Sequence, residues 1–385
     1  MEEFDVVIVG AGPSGSMAAK VLADSGCKVV LADKAVFPRA KLCGGLLTWK
    51  SIRLLEKFAG LGLDTLFELG VIHHYSSRYS IHGADRIIFS GMLSYPFYFS
   101  DRATLDYSLL EKAKEAGVCV LEECRAINCD PDTGIVICAN GNVLRGKFVI
   151  GADGVNSIIR RSISAFRSLR QQWRKSLAPA MEARIPNHLF PREITDPELH
   201  VGRIQAGYGW VFPGKDHALA GICGIKQQNE NFPRLFKDFI HDLGVAAPGM
   251  VVPGSHPLPY GNYFKNPCYG NYMLTGDAGG FVEPLLGEGI FFSMATGVYA
   301  AQAIAGNMDS PQRAAEEYVQ SLEEYILPEF RGSDRLRWFL FRSMSLMGEP
   351  WLSFFMGMLG SRLGQTVHGM RSYSWTRMKH WDLIS

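Results

Sequence analysis

The sequence predicts an α/β fold in which a doubly wound, Rossmann-like sheet is interleaved with an antiparallel sheet, with helices at the C-terminus. Three observations carry this. DVVIVG, residues 5–10, is a continuous β-branched run that opens into GAGPSG and then a helical stretch. Two later apolar strands also end on a glycine and an aspartate, at Gly151-Ala152-Asp153-Gly154 and at Gly276-Asp277. Two further blocks, residues 73–100 before the first of these ends and 170–262 between the two, switch to strand-like alternation.

The first unit is the most explicit. An unbroken apolar strand is what a parallel sheet buried on both faces requires. Gly10, Gly12 and Gly15 have G-x-G-x-x-G spacing, with Pro13 and Ser14 inside it. Gly10 permits the tight turn, Gly12 admits a pyrophosphate to the backbone, and Gly15 allows close helix–strand packing. The helix that follows, over residues 17–23, presents free N–H groups and its positive dipole end to phosphate. KVVLAD, residues 28–33, is the second strand and ends on Asp33, an acceptor for a ribose hydroxyl, with Lys34 beside it.

Each later strand end places an aspartate where ligands of open α/β sheets lie. Asp153 and Gly154 form one such end, in KFVIGADGVNS. Gly276 and Asp277 form the other, with Asp277 suited to a ribityl hydroxyl. A helix starting near Gly287, Gly289 and Ile290 aims its N-terminus at the edge of a flavin ring, where negative charge collects on reduction.

The G-x-G-x-x-G, GADGxxS and GDA stretches resemble the three FAD fingerprints of the flavoprotein group that contains para-hydroxybenzoate hydroxylase, flavin halogenases and geranylgeranyl reductases. That resemblance implies FAD as cofactor and a substrate sheet interleaved with a cofactor unit. The cofactor unit is expected over 1–72, 101–169 and 263–330, the substrate sheet over 73–100 and 170–262, and a helical region over 331–385. It also implies that Arg102, between a strand and a helix, contacts FAD.

Two stretches narrow the resemblance. YGWVFP places Tyr208, Trp210, Phe212 and Pro213 in the Y-x-W-x-F-P pattern of geranylgeranyl reductases, and KLCGG matches their K-x-C-G-G region. The implied function is reduction of carbon–carbon double bonds in an isoprenoid chain. Tyr208, Trp210 and Phe212 share one face of a strand that Pro213 ends, and the resemblance implies that they wall the substrate cavity. Gly44 and Gly45 leave backbone free to lie against a planar ring. The resemblance implies that Cys43 faces the flavin from the substrate side, as proton donor or pocket former, with His73 and His74 open as alternatives. The W-x-W-x-I-P pattern of flavin halogenases differs at Tyr208 and Phe212, so a monooxygenase or halogenase acting on an aromatic substrate is the second reading. A flavin protein without turnover is the third.

Composition excludes other classes. Net charge is +1 over 385 residues, which argues against nucleic acid. The eight cysteines include no C-x-x-C pair and no zinc-type spacing, so no metal is expected. No second G-x-G-x-x-G follows a strand, so electrons are expected from an external donor, NAD(P)H or a reduced carrier protein. The acidic start and the lack of a spanning apolar run point to a cytoplasmic location, with WLSFFMGMLG, residues 351–360, leaving peripheral membrane contact open.

Overall fold

A computed structural model describes residues 2–167, 173–174, 176–204, 206–225, 231–374 and 378–384. The first half runs β1 (Glu2–Val9), α1 (Pro13–Asp24), β2 (Val29–Ala32), β3 (Leu46–Leu47), α2 (Trp49–Ala59), α3 (Leu63–Glu68), β4 (Ile72–His82), β5 (Ile87–Ser100), α4 (Arg102–Glu115), β6 (Cys119–Leu121), β7 (Ala126–Asp130), β8 (Ile135–Cys138), β9 (Val143–Gly151), α5 (Ile158–Ser162) and α6 (Ser164–Arg167). The second half runs β10 (Ala178–Pro186), β11 (Glu198–His200), β12 (Gly207–Phe212), β13 (His217–Gly224), α7 (Phe232–Asp242), β14 (Gly254–Leu258), β15 (Cys268–Tyr269), β16 (Tyr272–Leu274), α8 (Gly276–Gly279), α9 (Ile290–Gly306), α10 (Pro311–Ser321) and α11 (Leu327–Val367).

The first sheet has the order β15-β16-β9-β1-β2-β6, and its β16, β9, β1, β2 and β6 run parallel. β1 is its centre: Val6, Val7 and Ile8 are fully buried between β2 and β9. The helix covering it, α9, is buried on all sides, and α1 crosses it so closely that a Cβ on Gly297 would meet the Ser14 carbonyl at 2.3 Å. That contact locks the phosphate turn onto the middle of α9.

The second sheet has the order β14-β10-β13-β12-β11-β4-β5-β3. One face packs on α7 through Ala183, Ile185, Val211, Ala220, Ile222 and Phe236. The other faces a cavity, because alternate residues of the same strands point the opposite way. Residues 73–100 read from sequence as several short strands; they form two long ones, of 11 and 14 residues. Bulges near His74, Ser76 and His82 absorb the breaks in alternation. Leu46–Leu47, inside the 1–72 stretch, pairs with β5 of this second sheet. The expected change of unit between residues 169 and 170 lies outside the described residues.

The C-terminal region is helical only to Val367. α11 is broken at Gly348, whose φ is +69°, two residues before Pro350. After Gly369 (φ +81°) the chain turns back, and Trp381 packs against Phe291 at 4.9 Å and donates to the Gly369 carbonyl at 2.8 Å. Among the described residues no helix is long and apolar enough to cross a membrane. The eight cysteines are unpaired.

Candidate active site

One cavity of about 900 Å³ runs from the end of β1 across the carboxyl ends of the first sheet and along the inner face of the second. At its first end Gly10 (φ +102°) and Gly15 are glycines for protein reasons. A Cβ would sit 2.4 Å from the Ala152 carbonyl oxygen and 1.8 Å from that of Gly10, respectively. Gly12 differs: the nearest atom to a Cβ there is Arg39 Nη2, at 3.7 Å, and the residue lines the cavity. Its missing side chain leaves room for something that is not protein.

Asp33 accepts from the Ala11 N–H at 2.7 Å and the Ala35 N–H at 2.9 Å, so it braces the phosphate turn. A carboxylate has about four lone-pair sites, which leaves acceptor capacity at the cavity for a ribose. Asp153 Oδ2 accepts from the Ile158 N–H at 2.6 Å and caps α5, while its buried Oδ1 has no partner among the described residues. Gly154 has φ +77° with open space around it. On the far side, Gly276 donates its N–H to Thr296 Oγ1 and the Ser14 hydroxyl donates to Thr275 Oγ1. These bonds tie the GDA turn to both α1 and α9.

The loop before α9 is held from three directions. The Glu283 carboxylate accepts the N–H groups of Leu285 and Leu286, at 2.8 and 2.6 Å. Tyr208 and Tyr260 donate their hydroxyls to the Leu286 and Leu285 carbonyls. Glu288 pairs with the buried Lys50 at 2.6 Å and accepts from Thr48. Gly287, Gly289 and Ile290 thus line the cavity at a helix start that has no side-chain cap. Its first N–H groups are free for a ligand acceptor. Lys34 and Asp277 line the same cavity.

Of the residues singled out from sequence, Gly15, Pro213, His73 and His74 do not line the cavity, while Arg102, Cys43, Gly44, Gly45, Tyr208, Trp210 and Phe212 do. Gly15 serves packing, and Pro213 lies just past the end of β12. The reason for the Gly44-Gly45 pair differs from the sequence reading. A Cβ on Gly44 would meet the Phe212 ring at 2.7 Å, and one on Gly45 (φ +67°) the Ser100 carbonyl at 2.0 Å. Protein neighbours already demand both glycines. The Cys43 sulfur accepts weakly from the Gly45 N–H at 3.5 Å and faces the Arg102 guanidinium. Arg102 itself makes a two-pronged pair with the fully buried Asp106, at 2.9 and 3.0 Å. His73 and His74 are not among the lining residues.

Sequence reasoning missed Glu182. It lines the cavity on β10, nearly fully buried, and accepts from the Cys43 N–H through Oε1 and from Trp210 Nε1 through Oε2, both at 3.2 Å. Burial pushes its carboxyl up to about 7 against the pull of those two donors. The visible signal was a lone acid on the inward-alternating side of MEARI; its partners lie 139 and 28 residues away. Arg39, Lys41 and His256 also line the cavity and were not assigned roles. Burial, then Lys41, lowers His256 to about 4, so its ring is neutral at pH 7.

Beyond Trp210 the cavity becomes an apolar arm between the second sheet and α11, walled by Tyr79, Ile81, Leu93 and Phe97 on one side and Met356, Leu363 and Val367 on the other. The opposite face of that sheet gathers His82, Glu198 and His200, their ligand-type atoms all within 4.8 Å of one another. No spacing in the sequence announced this group. Both Glu198 oxygens accept from Arg192, at 2.5 and 2.7 Å.

Residues 3–186 match the FAD binding domain family. The chain is 32% identical to a menaquinone reductase of Mycolicibacterium smegmatis over 320 residues, covering 77% of this chain and 75% of that one. It is 28% identical to digeranylgeranylglycerophospholipid reductase 2 of Methanosphaera stadtmanae over 367 residues, covering 88% of each. Among solved structures, a geranylgeranyl bacteriochlorophyll reductase-like protein of Thermoplasma acidophilum superposes with a TM-score of 0.77 at 21% identity, covering 97% of each chain. A flavin-dependent brominase superposes at 0.71 and 18%, covering 95% of this chain and 94% of that one, a likeness of fold. The cofactor is FAD, and the open face of Gly12, the unpartnered Asp153 oxygen and the uncapped start of α9 fit it.

Proposed function

We infer that this chain, which belongs to the geranylgeranyl reductase family of FAD-dependent oxidoreductases, saturates carbon–carbon double bonds in the polyprenyl tail of a lipid. The observation that carries the reading is the continuity of the cavity. The FAD-fitting end and the apolar arm past Trp210 are one space. A polyprenyl tail offers almost no hydrogen bonds, so its binding rests on area burial, at roughly 25 cal/mol per Å². An arm walled by aliphatic and aromatic side chains on a rigid sheet supplies that.

In this reading residues 1–72, 101–169 and 263–330 form the FAD unit, and 73–100 with 170–262 form the substrate sheet. FAD held there would supply a hydride once reduced by an external donor. Gly10, Gly12, Pro13, Ser14, Asp33, Lys34 and Arg102 hold its nucleotide portion; Asp153, Gly154, Gly276, Asp277, Gly287, Gly289 and Ile290 hold the remainder. Tyr208, Trp210 and Phe212 hold an alkene beside the Cys43-Gly44-Gly45 stretch. The relatives' names include a quinone and a glycerophospholipid, which share a polyprenyl tail and differ in headgroup. The tail is therefore the proposed substrate.

The same helix that closes the arm faces outward with Trp338, Phe339, Leu346, Met347, Phe354 and Met358 exposed, alongside exposed Arg331, Arg335 and Arg342. This supports peripheral docking on an anionic bilayer, from which the tail enters the arm.

The test is anaerobic incubation of photoreduced protein with a geranylgeranyl lipid, followed by mass spectrometry for additions of two hydrogens. Hydroxylation or halogenation of a phenol under air, with no hydrogenation of the lipid, would establish the monooxygenase or halogenase reading instead.

A further inference from the structure

We propose that Glu182 is the catalytic acid that delivers the proton completing each saturation; the proposal rests on the reductase reading above. The geometry is specific. Each oxygen of the carboxyl already faces an N–H donor, Cys43 N–H on Oε1 and Trp210 Nε1 on Oε2. Neither donor can accept a hydrogen bond. When Glu182 is protonated, its O–H therefore has no acceptor in either neighbour and turns to the cavity that the residue lines. That part of the cavity is bounded by Trp210 and the Cys43-Gly44 stretch, the place where the proposed alkene lies.

The groups around it favour this assignment. Lys41 and Arg184 place positive charge near the carboxyl and pull its proton affinity down, and burial outweighs them. Arg184 is half committed elsewhere, in an ion pair with Asp101 at 2.8 Å. His256, from the strand flanking β10, is neutral at pH 7 and adds no charge. The Cys43 sulfur is turned to Arg102 and the Gly45 N–H. Among these side chains Glu182 is the one that is both acidic and poised between protonated and ionised near neutral pH, as a general acid requires.

The step balances. The carbon–carbon π bond breaks; one carbon takes a hydride, with its two electrons, from reduced FAD. The other carbon forms its new C–H bond as the Glu182 O–H bond breaks. The alkene is reduced, the flavin is oxidised, and the carboxylate left behind recovers a proton from water.

The experiment is a single turnover of photoreduced, FAD-loaded protein with a geranylgeranyl lipid, without oxygen, from pH 5.5 to 8.5. Wild type should lose rate as pH rises through about 7. Glu182→Gln should slow lipid reduction by about 10²- to 10⁴-fold and lose that pH limb, with FAD content and photoreduction unchanged. Glu182→Asp should recover part of the rate and the limb. Because a Gln amide can accept from only one of the two N–H donors, a second measurement reads the protonation of the carboxyl and not the turnover. Infrared difference spectra on the oxidised protein should show a protonated-carboxyl band, absent in Glu182→Gln, that disappears as pH rises through about 7. A Glu182→Gln protein with wild-type rate and pH limb, or a band that is lost near pH 4, overturns the proposal and leaves the reductase reading intact. Wild type that never hydrogenates the lipid overturns both.

Discussion

The indole of Trp210 lies over Gly221, its register partner on the next strand, so closely that a Cβ there would sit 2.2 Å from Cζ2. The glycine makes the niche, and the Glu182 carboxylate holds the ring's other edge through Nε1. Gly221→Val should push the ring off the wall, and Trp210→Ala should remove it. One indole face buries roughly half of the 150–250 Å² of an aromatic side chain, about 2 kcal/mol or roughly thirtyfold in lipid affinity. KM for a polyprenyl lipid should rise by that order in both variants with FAD content unchanged. An unchanged KM would remove Trp210 from the lipid wall.

Gly12→Ala separates a ligand requirement from a folding requirement. No protein atom lies closer than 3.7 Å to the added methyl, so the apoprotein should unfold at the wild-type urea concentration. The methyl enters the space where a pyrophosphate approaches, so FAD retention through gel filtration should fall, and with it the stabilisation that bound FAD confers. Gly15→Ala should behave oppositely and destabilise the apoprotein itself, because its methyl would strike the Gly10 carbonyl at 1.8 Å. Equal FAD retention by Gly12→Ala and wild type would place the cofactor phosphates elsewhere.

Much of this was readable in the chain. The β1–α1–β2 unit has a period, a turn and an acid that each demand the same local structure, so its elements are where the residues put them. YGWVF was legible as a strand with three aromatics on one face, since strand alternation needs no partner to be seen. What could not be read was which strand lies beside it. The Glu182–Trp210 and Glu182–Cys43 bonds cross 28 and 139 residues, and a lone acid in MEARI carries no address. The two glycines after Cys43 show the reverse case. Their need for bare backbone was legible, but the neighbours that impose it, Phe212 and the Ser100 carbonyl, come from strands joined only in the fold.

Stability should fall with acid between pH 6.5 and about 4, ahead of the carboxylates. Burial, then Lys41, lowers His256 to about 4; burial, then Lys50, lowers His368 to about 3. Both folded values lie below the ordinary 6.5. The unfolded chain therefore binds these protons first, and the stability present above pH 6.5 is lost as pH falls toward the folded values. His368 Nδ1 accepts from the Trp49 N–H at 3.0 Å, which protonation forbids. His256→Gln and His368→Asn should each flatten the urea midpoint against pH over this window; Asn keeps an acceptor for Trp49. A slope unchanged in the double variant would assign the acid limb to other groups.

The depth of the apolar arm turns on Gly364. It lines the cavity from α11, and a Cβ there would meet Leu93 Cδ2 at 2.9 Å. That atom is the free end of a flexible side chain, so the fold can accommodate a larger residue by turning Leu93, and both side chains then compete for the space of the arm. Gly364→Leu should leave FAD content and flavin photoreduction unchanged. It should also leave reduction of a short geranyl lipid near the wild-type rate, because a short tail buries less of the arm. In the reductase reading, a geranylgeranyl lipid uses the full depth to bring its headgroup-proximal and distal bonds in turn past Trp210 and Cys43. Its reduction should slow by tenfold or more, or stop after fewer additions of two hydrogens, as mass spectra of the products would show. If the long lipid were saturated at the wild-type rate and to the same extent, the tail would have to enter by another route, and the arm beside α11 would be packing space and not part of the substrate site.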